Sequence, residues 1–369
     1  MGFMRRLFGS GPDDASGGEP GPQDEAPDPL GWLAIDRALE TRYGAVEPRH
    51  WGTMVRWRQG GPDPLDGVSA YDHEGPPAHW HYVTYGLSDL YADESPDDER
   101  SGWGLELTFR LARPDASTEA PVWAVSMLQN LARYIFESGN VLWPGHHIDA
   151  NGPIALETGT QLTAMVFVED PELGRIDTPH GKVRFVQVVG ITEDEYQAIR
   201  RWNTDSVVEI LRRGNPLLVS DLEHRSALED PNIAGMVEEG RRRDGSSMDG
   251  VYIDHLQWAE RGSRLELTIG ATAVEDLVIM LEGRVALGRK AFLQGPERRL
   301  DIVPGETIEW HPHGNGDLGL TIPPGVAAMA GELPVRAGRF DWPDAEGMVL
   351  IVEQTIIRDQ EGNEIGRVG

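Results

Sequence analysis

Apolar positions recur along this chain with two periods, and each period predicts a different element. From Asp28 onward, DPLGWLAIDRALETRYG sets Leu30, Leu33, Ala38 and Leu39 on one face at helical spacing. Asp28 suits the N-cap, Pro29 the first turn, and Gly44 the end of that helix. TMVRWR then alternates around Val55 and Trp57, GGPDPLDG is a turn, and HWHYVTYGL and WGLELTFRLA read as strands. A second helix is predicted from about Pro121 to Glu137. Val125, Leu128, Leu131, Ala132 and Ile135 share one face of it, and Gly139 lies just past its end. Two buried-type strands follow, LTAMVFV and VRFVQVVGI. Thr192 and Glu195 form a capping box that opens a helix reaching Trp202; SVVEILRR makes another, and a polar helix runs from Pro231 to Arg242.

Composition shifts at RRRDGSSMDG. Beyond it the pattern is mostly strand: VYIDHLQW, RLELTIG, LVIML, KAFLQ, RLDIV, TIEWH and VLIVEQTII, with one short helix at PPGVAAMAGEL. The predicted class is α+β in two domains. Residues 29–246 form an N-terminal mixed α/β, sandwich-like domain, and residues 247–369 a C-terminal β-rich domain. Residues 1–28 combine Gly, Pro and acid with little to bury, so they are expected to be a disordered tail.

Length, charge and cysteine content narrow the function. The chain has 369 residues, 39% hydrophobic and 25% charged, as a globular protein does. It has no apolar run long enough to span a bilayer, and no apolar segment behind Arg5 and Arg6 to make a secretory signal. A net charge of -28 would repel nucleic-acid phosphate. Cysteine is absent, which removes disulfides, thiolate metal sites and cysteine nucleophiles, and fits a cytoplasmic address.

Three histidine pairs are the conspicuous chemistry. His79 and His81 stand two apart on a predicted strand and share a face, as do His311 and His313; His146 and His147 are adjacent. A catalytic zinc needs three protein ligands, so two pairs would have to converge. A metal-dependent hydrolase using His79/His81 and His146/His147 is therefore the alternative reading. HGNGDLG contains G-x-G-x-x-G, but Pro323 and Pro324 forbid the helix a dinucleotide site needs, so it reads as a hairpin loop. No P-loop, H-E-x-x-H, G-x-S-x-G or EF-hand pattern occurs. The favoured reading is a non-enzyme without cofactor that holds a protein or peptide in a cleft between its domains, by strand addition to a sheet edge.

Longer motifs carry a resemblance. GGPDPLDGVSAY, HWHYVTYGLSDLY, GWGLELTFRL, MLQNLARYIFESGN, VEDPELGRIDTPHGKVRFVQVVGITEDE, RRDGSSMDGV and LEGRVALGRKAF, in that order over about residues 47 to 330, resemble the Suppressor of fused family. Asp249 stands where that family usually has a second serine, and the stretch from RFDWPDAEGMVL onward has no matching motif. The resemblance implies a two-domain clamp without enzymatic activity. In animal members it holds a peptide of Gli-type transcription factors as an added strand; some bacterial members are proposed to be immunity proteins against toxins. Position by position, it implies partner contacts at Tyr134, Asp244 and Val251, with Ile253 in place of a smaller alanine. His146, followed by His147, takes the place of an aspartate that pairs with the peptide histidine. Trp80, Tyr82 and Tyr85 are expected to pack, and His79 and His81 to hold hydrogen bonds.

Overall fold

The computed structural model describes residues 28–55, 57, 60–91, 99–114, 118–314, 316–358 and 364–369. The expected tail at 1–28 lies outside these residues except for Asp28. The chain divides into two compact units. One runs to Glu193 and includes Arg212–Arg225; the other comprises Asp194–Leu211 and Ser226–Gly369.

The first unit is a sheet with a helix on each face. Its strands are β1 (Arg49–Gly52), β2 (Gly67–His73), β3 (His79–Tyr85), β4 (Arg100–Ala112), β5 (His147–Asp149), β6 (Leu162–Glu169), β7 (Arg175–Thr178) and β8 (Gly181–Thr192). They lie in the order β1-β2-β3-β4-β8-β6-β5, with β7 paired to β8. Among these strands only the β4–β8 pairing is parallel, and Leu111 of β4 also makes a parallel bridge with Ser220. Alternation along β3 sends Val83 and Tyr85 to one face, where they pack with Trp32, Ile35 and Leu39 of helix α1 (Leu30–Tyr43). Trp80 and Tyr82 go to the other face, against Leu128, Leu131 and Ile135 of helix α2 (Val122–Ser138). The expected packing of Trp80, Tyr82 and Tyr85 is thus observed.

The first face also buries charge. Arg110, fully buried on β4, donates from Nη1 to Asp170 Oδ2 at 2.6 Å and from Nη2 to Asp170 Oδ1 at 3.1 Å. It donates further to Gln187 of β8 (2.5 Å) and Glu172 (3.0 Å), while Thr108 donates to Asp170 at 2.8 Å. A guanidinium removed from water is tolerable only when nearly every N–H finds an acceptor, and here strands and turn supply them. Glu106, also fully buried, meets only neutral donors: the Thr84 and Ser88 hydroxyls and the Gly86 and Ser88 amides. Burial pushes its carboxyl up to about 7, against those four bonds.

The second unit carries helices α3 (Glu193–Arg201), most of α4 (Thr204–Gly214) and α5 (Pro231–Asp244). These precede β9 (Gly250–Tyr252), β10 (Leu256–Arg261), β11 (Arg264–Gly270), helix α6 (Ala273–Gly283), β12 (Ala291–Gln294), β13 (Arg299–Pro304), β14 (Glu309–His313) and β15 (Asp317–Ile322). Helix α7 (Pro324–Ala328), β16 (Gly338–Asp341), β17 (Met348–Glu353), β18 (Thr355–Arg358) and β19 (Glu364–Val368) complete the chain. A five-stranded sheet, β14-β15-β13-β12-β9, and a four-stranded sheet, β10-β11-β17-β16, share one core with α6. HGNGDLG joins β14 to β15, with His313 opposite Asp317, as the hairpin reading expected.

Several predicted elements need correction. LVIML is helical, lying inside α6, where Leu277, Ile279, Met280 and Leu281 are all buried. A short, wholly apolar run has no polar positions whose periodicity could distinguish helix from strand. VYIDHLQW breaks into β9 and β10, and VLIVEQTII into β17 and β18. The strand expected at TMVRWR lies upstream as β1. Met54 and Val55 are exposed in a bend, and Trp57 packs edge-on against Phe136.

Removing one partner of a buried ion pair leaves the other charge stranded. Asp170→Asn is expected to lower the unfolding free energy by about 3 kcal/mol, read from the urea midpoint. A loss below about 1 kcal/mol would show that Glu172 alone suffices for Arg110.

Candidate functional site

The histidine pairs come first, because they carry the alternative reading. His79 and His81 do share a face of β3, but both rings are fully buried. The His79 ring uses Nδ1 to donate to the Pro77 carbonyl at 2.7 Å and stacks on His73 at 4.4 Å between centroids. His81 places Nδ1 2.6 Å from the Tyr43 hydroxyl and Nε2 3.2 Å from Asp170 Oδ2. Burial pushes both imidazoles down to about 4, so they are neutral at pH 7. Burial alone would raise Asp170, but the bond with His81 and the Arg110 charge outweigh it and hold the carboxyl far below its usual range. On β14, His313 lies 3.1 Å from Asp301. Among the described residues no group of three His, Asp or Glu side chains could hold a metal ion, so the pairs do not converge as the hydrolase reading requires.

A groove of about 630 Å³ does open in the first unit, lined by Tyr134, Asn140, Trp143, His146, His147 and Ile148 among others. Local sequence builds it. Helix α2 stops at Gly139, whose φ of 73° is the left-handed conformation that glycine adopts without a Cβ clash. The chain turns through Trp143–His146, where the His146 amide donates to the Trp143 carbonyl at 3.0 Å and Gly145 has a φ of 95°. It then enters β5, the outermost strand of the sheet, which pairs with β6 on one side. Tyr134 sits near the end of α2, 41% exposed, and its hydroxyl accepts from Asn140 Nδ2 at 3.2 Å. His146 is exposed, and its Nδ1 accepts the Trp143 amide over a long 3.4 Å. Three expected contact residues thus meet in one groove beside a sheet edge.

The other three lie in the second unit. Asp244 ends α5, and its Oδ2 accepts from the buried Trp202 indole at 2.9 Å. Its carboxyl is held at about 2 by the Arg243 guanidinium and the Trp202 bond, and Arg289 donates to its backbone carbonyl. Val251 is the middle residue of β9, opposite Leu293, and β9 is the outermost strand of its sheet. Ile253 is buried, with 8% exposure, and lines a hollow of about 440 Å³ with Tyr252, Asp254, Thr272, Glu353 and Ile356. Tyr252, 81% exposed, went unremarked in the sequence, although its place on an outer strand next to Val251 was the available signal.

Two α+β units, each with a short outermost strand next to a hollow, make up the described fold. Residues 61–225 match the family description Suppressor of fused protein (SUFU). The human Suppressor of fused homolog is 37% identical over 214 residues, covering 54% of this chain and 44% of the human protein; the mouse homolog gives the same figures. The crystal structure of Drosophila Suppressor of Fused has a TM-score of 0.72 at 25% identity, covering 89% of this chain and 97% of that one. A chain from the crystal structure of the Sufu-Fu complex has a TM-score of 0.53 at 36% identity, covering 56% of this chain and 96% of that one. The chain belongs to the Suppressor of fused family, as its motifs implied. It spans less than half the length of the curated relatives it matches.

Two predictions follow from these side chains. An unfolded histidine titrates near 6.5 and folded His79 near 4, so between those values the unfolded chain binds a proton that the folded chain refuses. The contribution of His79 to stability is complete above about pH 6.5 and declines as pH falls. Relative to His79→Gln, the wild type is expected to lose roughly 3 kcal/mol of unfolding free energy between pH 7 and pH 4; equal losses would place the His79 proton elsewhere. Separately, Asp244→Ala is expected to lower the melting temperature by leaving the Trp202 indole without its acceptor, whereas Tyr134→Ala leaves it nearly unchanged. Calorimetry on both variants distinguishes a structural Asp244 from a purely surface one.

Proposed function

We propose that this chain is a non-catalytic protein-binding module that accepts an extended segment of a partner by strand addition. The groove beside β5 carries the reading: a strand edge that can extend the ladder adjoins a hollow that can take a side chain. Tyr134, His146 and His147 are the contact residues assigned there. Asp244, Val251 and Ile253 are assigned a second set of contacts at the end of α5 and along β9. A family relative crystallised as the Sufu-Fu complex supports a protein as the ligand class. Among the described residues no helix is long and apolar enough to cross a membrane. A cytoplasmic address belongs to the proposal, motivated by the absence of cysteine. Neutralisation of a toxin is one form such binding takes, with the toxin surface as partner.

Aromatic anchors at the centre of an interface commonly carry 2 kcal/mol or more of the binding energy, roughly thirtyfold in affinity. Affinity capture from source-cell lysate with the full chain is expected to retain a defined protein, and Tyr134→Ala to reduce its retention at least about tenfold. The melting temperature should stay within about 2 °C. Retention indifferent to Tyr134→Ala, or no retained protein at all, would remove the basis for the assignment.

A further inference from the structure

The chemistry of the first-unit groove points to the charge of its occupant, an inference that rests on the strand-addition reading. In a chain with 61 acidic against 33 basic residues, the groove lining contains no carboxylate. Its polar side chains can instead donate. The Trp143 amide donates to His146 Nδ1, which leaves Nε2 as the ring nitrogen that can donate, on a side chain that lines the groove. The Tyr134 hydroxyl already accepts from Asn140 Nδ2, which leaves its own proton to give. Trp143 has the Arg184 guanidinium 5.3 Å from its ring centroid, and Arg184 is not among the groove-lining residues. Arg184 also lies 3.5 Å from Glu169 and is partly neutralised there. The acid nearest in sequence, Asp149, uses Oδ1 to accept the Asn151 amide at 2.7 Å.

An occupant presenting Lys, Arg or protonated His would set donors against donors, with no carboxylate in the lining to receive the charge. A carboxylate would accept from both Tyr134 and His146, and such charge-assisted bonds are the stronger kind. We infer that the groove recognises an acidic side chain: its occupant is an extended partner segment that places Asp or Glu against Tyr134 and His146, beside the β5 edge. The carboxylate belongs to a side chain within the segment and not to a chain terminus.

The test is a library of randomised eight-residue segments displayed between fixed flanks, so that no terminus is free. It is selected on the full-length chain and on its His146→Asp, His146→Gln and Tyr134→Ala variants, each first checked for an unchanged melting temperature. On the wild type, Asp or Glu should be enriched about tenfold or more at one position. On His146→Asp the same position should turn to Lys, Arg or His, and His146→Gln, which keeps a neutral donor, should give a weakened acid preference. Groove binders without a charge preference, with a basic preference on the wild type, or with an acid preference that His146→Asp leaves intact would overturn the inference while sparing strand addition. Recovery only of clones indifferent to Tyr134→Ala, or of none, would overturn both.

Discussion

The buried pair of Arg110 and Asp170 is the constraint on which the first unit depends. A guanidinium enclosed between a sheet and a helix must be neutralised and hydrogen-bonded, or the segment will not fold around it. Arg110 stands on β4 and its acceptors come from β8 and the turn after β6; His81 of β3 joins through Asp170, and Glu172, paired also with Arg42, adds α1. One charge therefore fixes the relative register of four elements. That register reaches the candidate site through the sheet. Phe109, next to Arg110, pairs with Val188, and Val188 with Phe167, whose amide donates to the His146 carbonyl at 2.9 Å. A one-residue slip at β8 would invert every side chain beyond it and move His146 away from Tyr134.

The two buried carboxylates show how environment, not residue type, decides charge. Asp170 faces a cation and stays ionised; Glu106 faces only hydroxyls and amides, and titrates near neutrality. Glu106 holds the turn from Gly86 to Ser88 against β4, while Asp170 spends Oδ1 on the amides of Glu172 and Leu173 and so builds the turn that presents Glu172. The neutral imidazoles of His79 and His81 fit the same logic. Beside a fully buried arginine, a second positive charge would cost more than it could recover. The residues that looked most like metal ligands are better understood as polar filling around a structural cation.

Local signals in the sequence carried far, and failed where long-range pairing decides. Both faces of β3, helix α2, the span of α1 and the hairpin at HGNGDLG follow from periodicity and turn residues within about twenty positions, but α1 buries Trp32 and Ile35 with Leu39 and leaves Leu30 exposed. The groove was partly legible for the same reason, since Tyr134 to Ile148 are contiguous and Gly139 and Gly145 mark its bends. LVIML was misread because five consecutive apolar residues carry no polar positions to distinguish helix from strand. The Arg110–Asp170 pair spans 60 residues, and the Trp202–Asp244 bond 42, separations at which no spacing rule operates. The latter matters for function, because Asp244 appeared in the sequence only as a surface contact and turns out to satisfy a buried indole.

A donor-lined groove in a chain of net charge -28 raises a question of scale. At physiological salt the screening length is about 8 Å, so the summed field slows the approach of an acidic segment but has little hold on it once docked. Contact chemistry then governs how long it stays, and the contacts available are donors from Tyr134 and His146 with backbone amides of an outer strand. An acidic chain with a carboxylate-free groove among its described residues thus separates two tasks. The overall charge discourages loose association with any anion, and the groove rewards only a carboxylate held at the right depth on an extended chain. Selectivity in such an arrangement comes from what is refused outside the groove as much as from what is accepted within it.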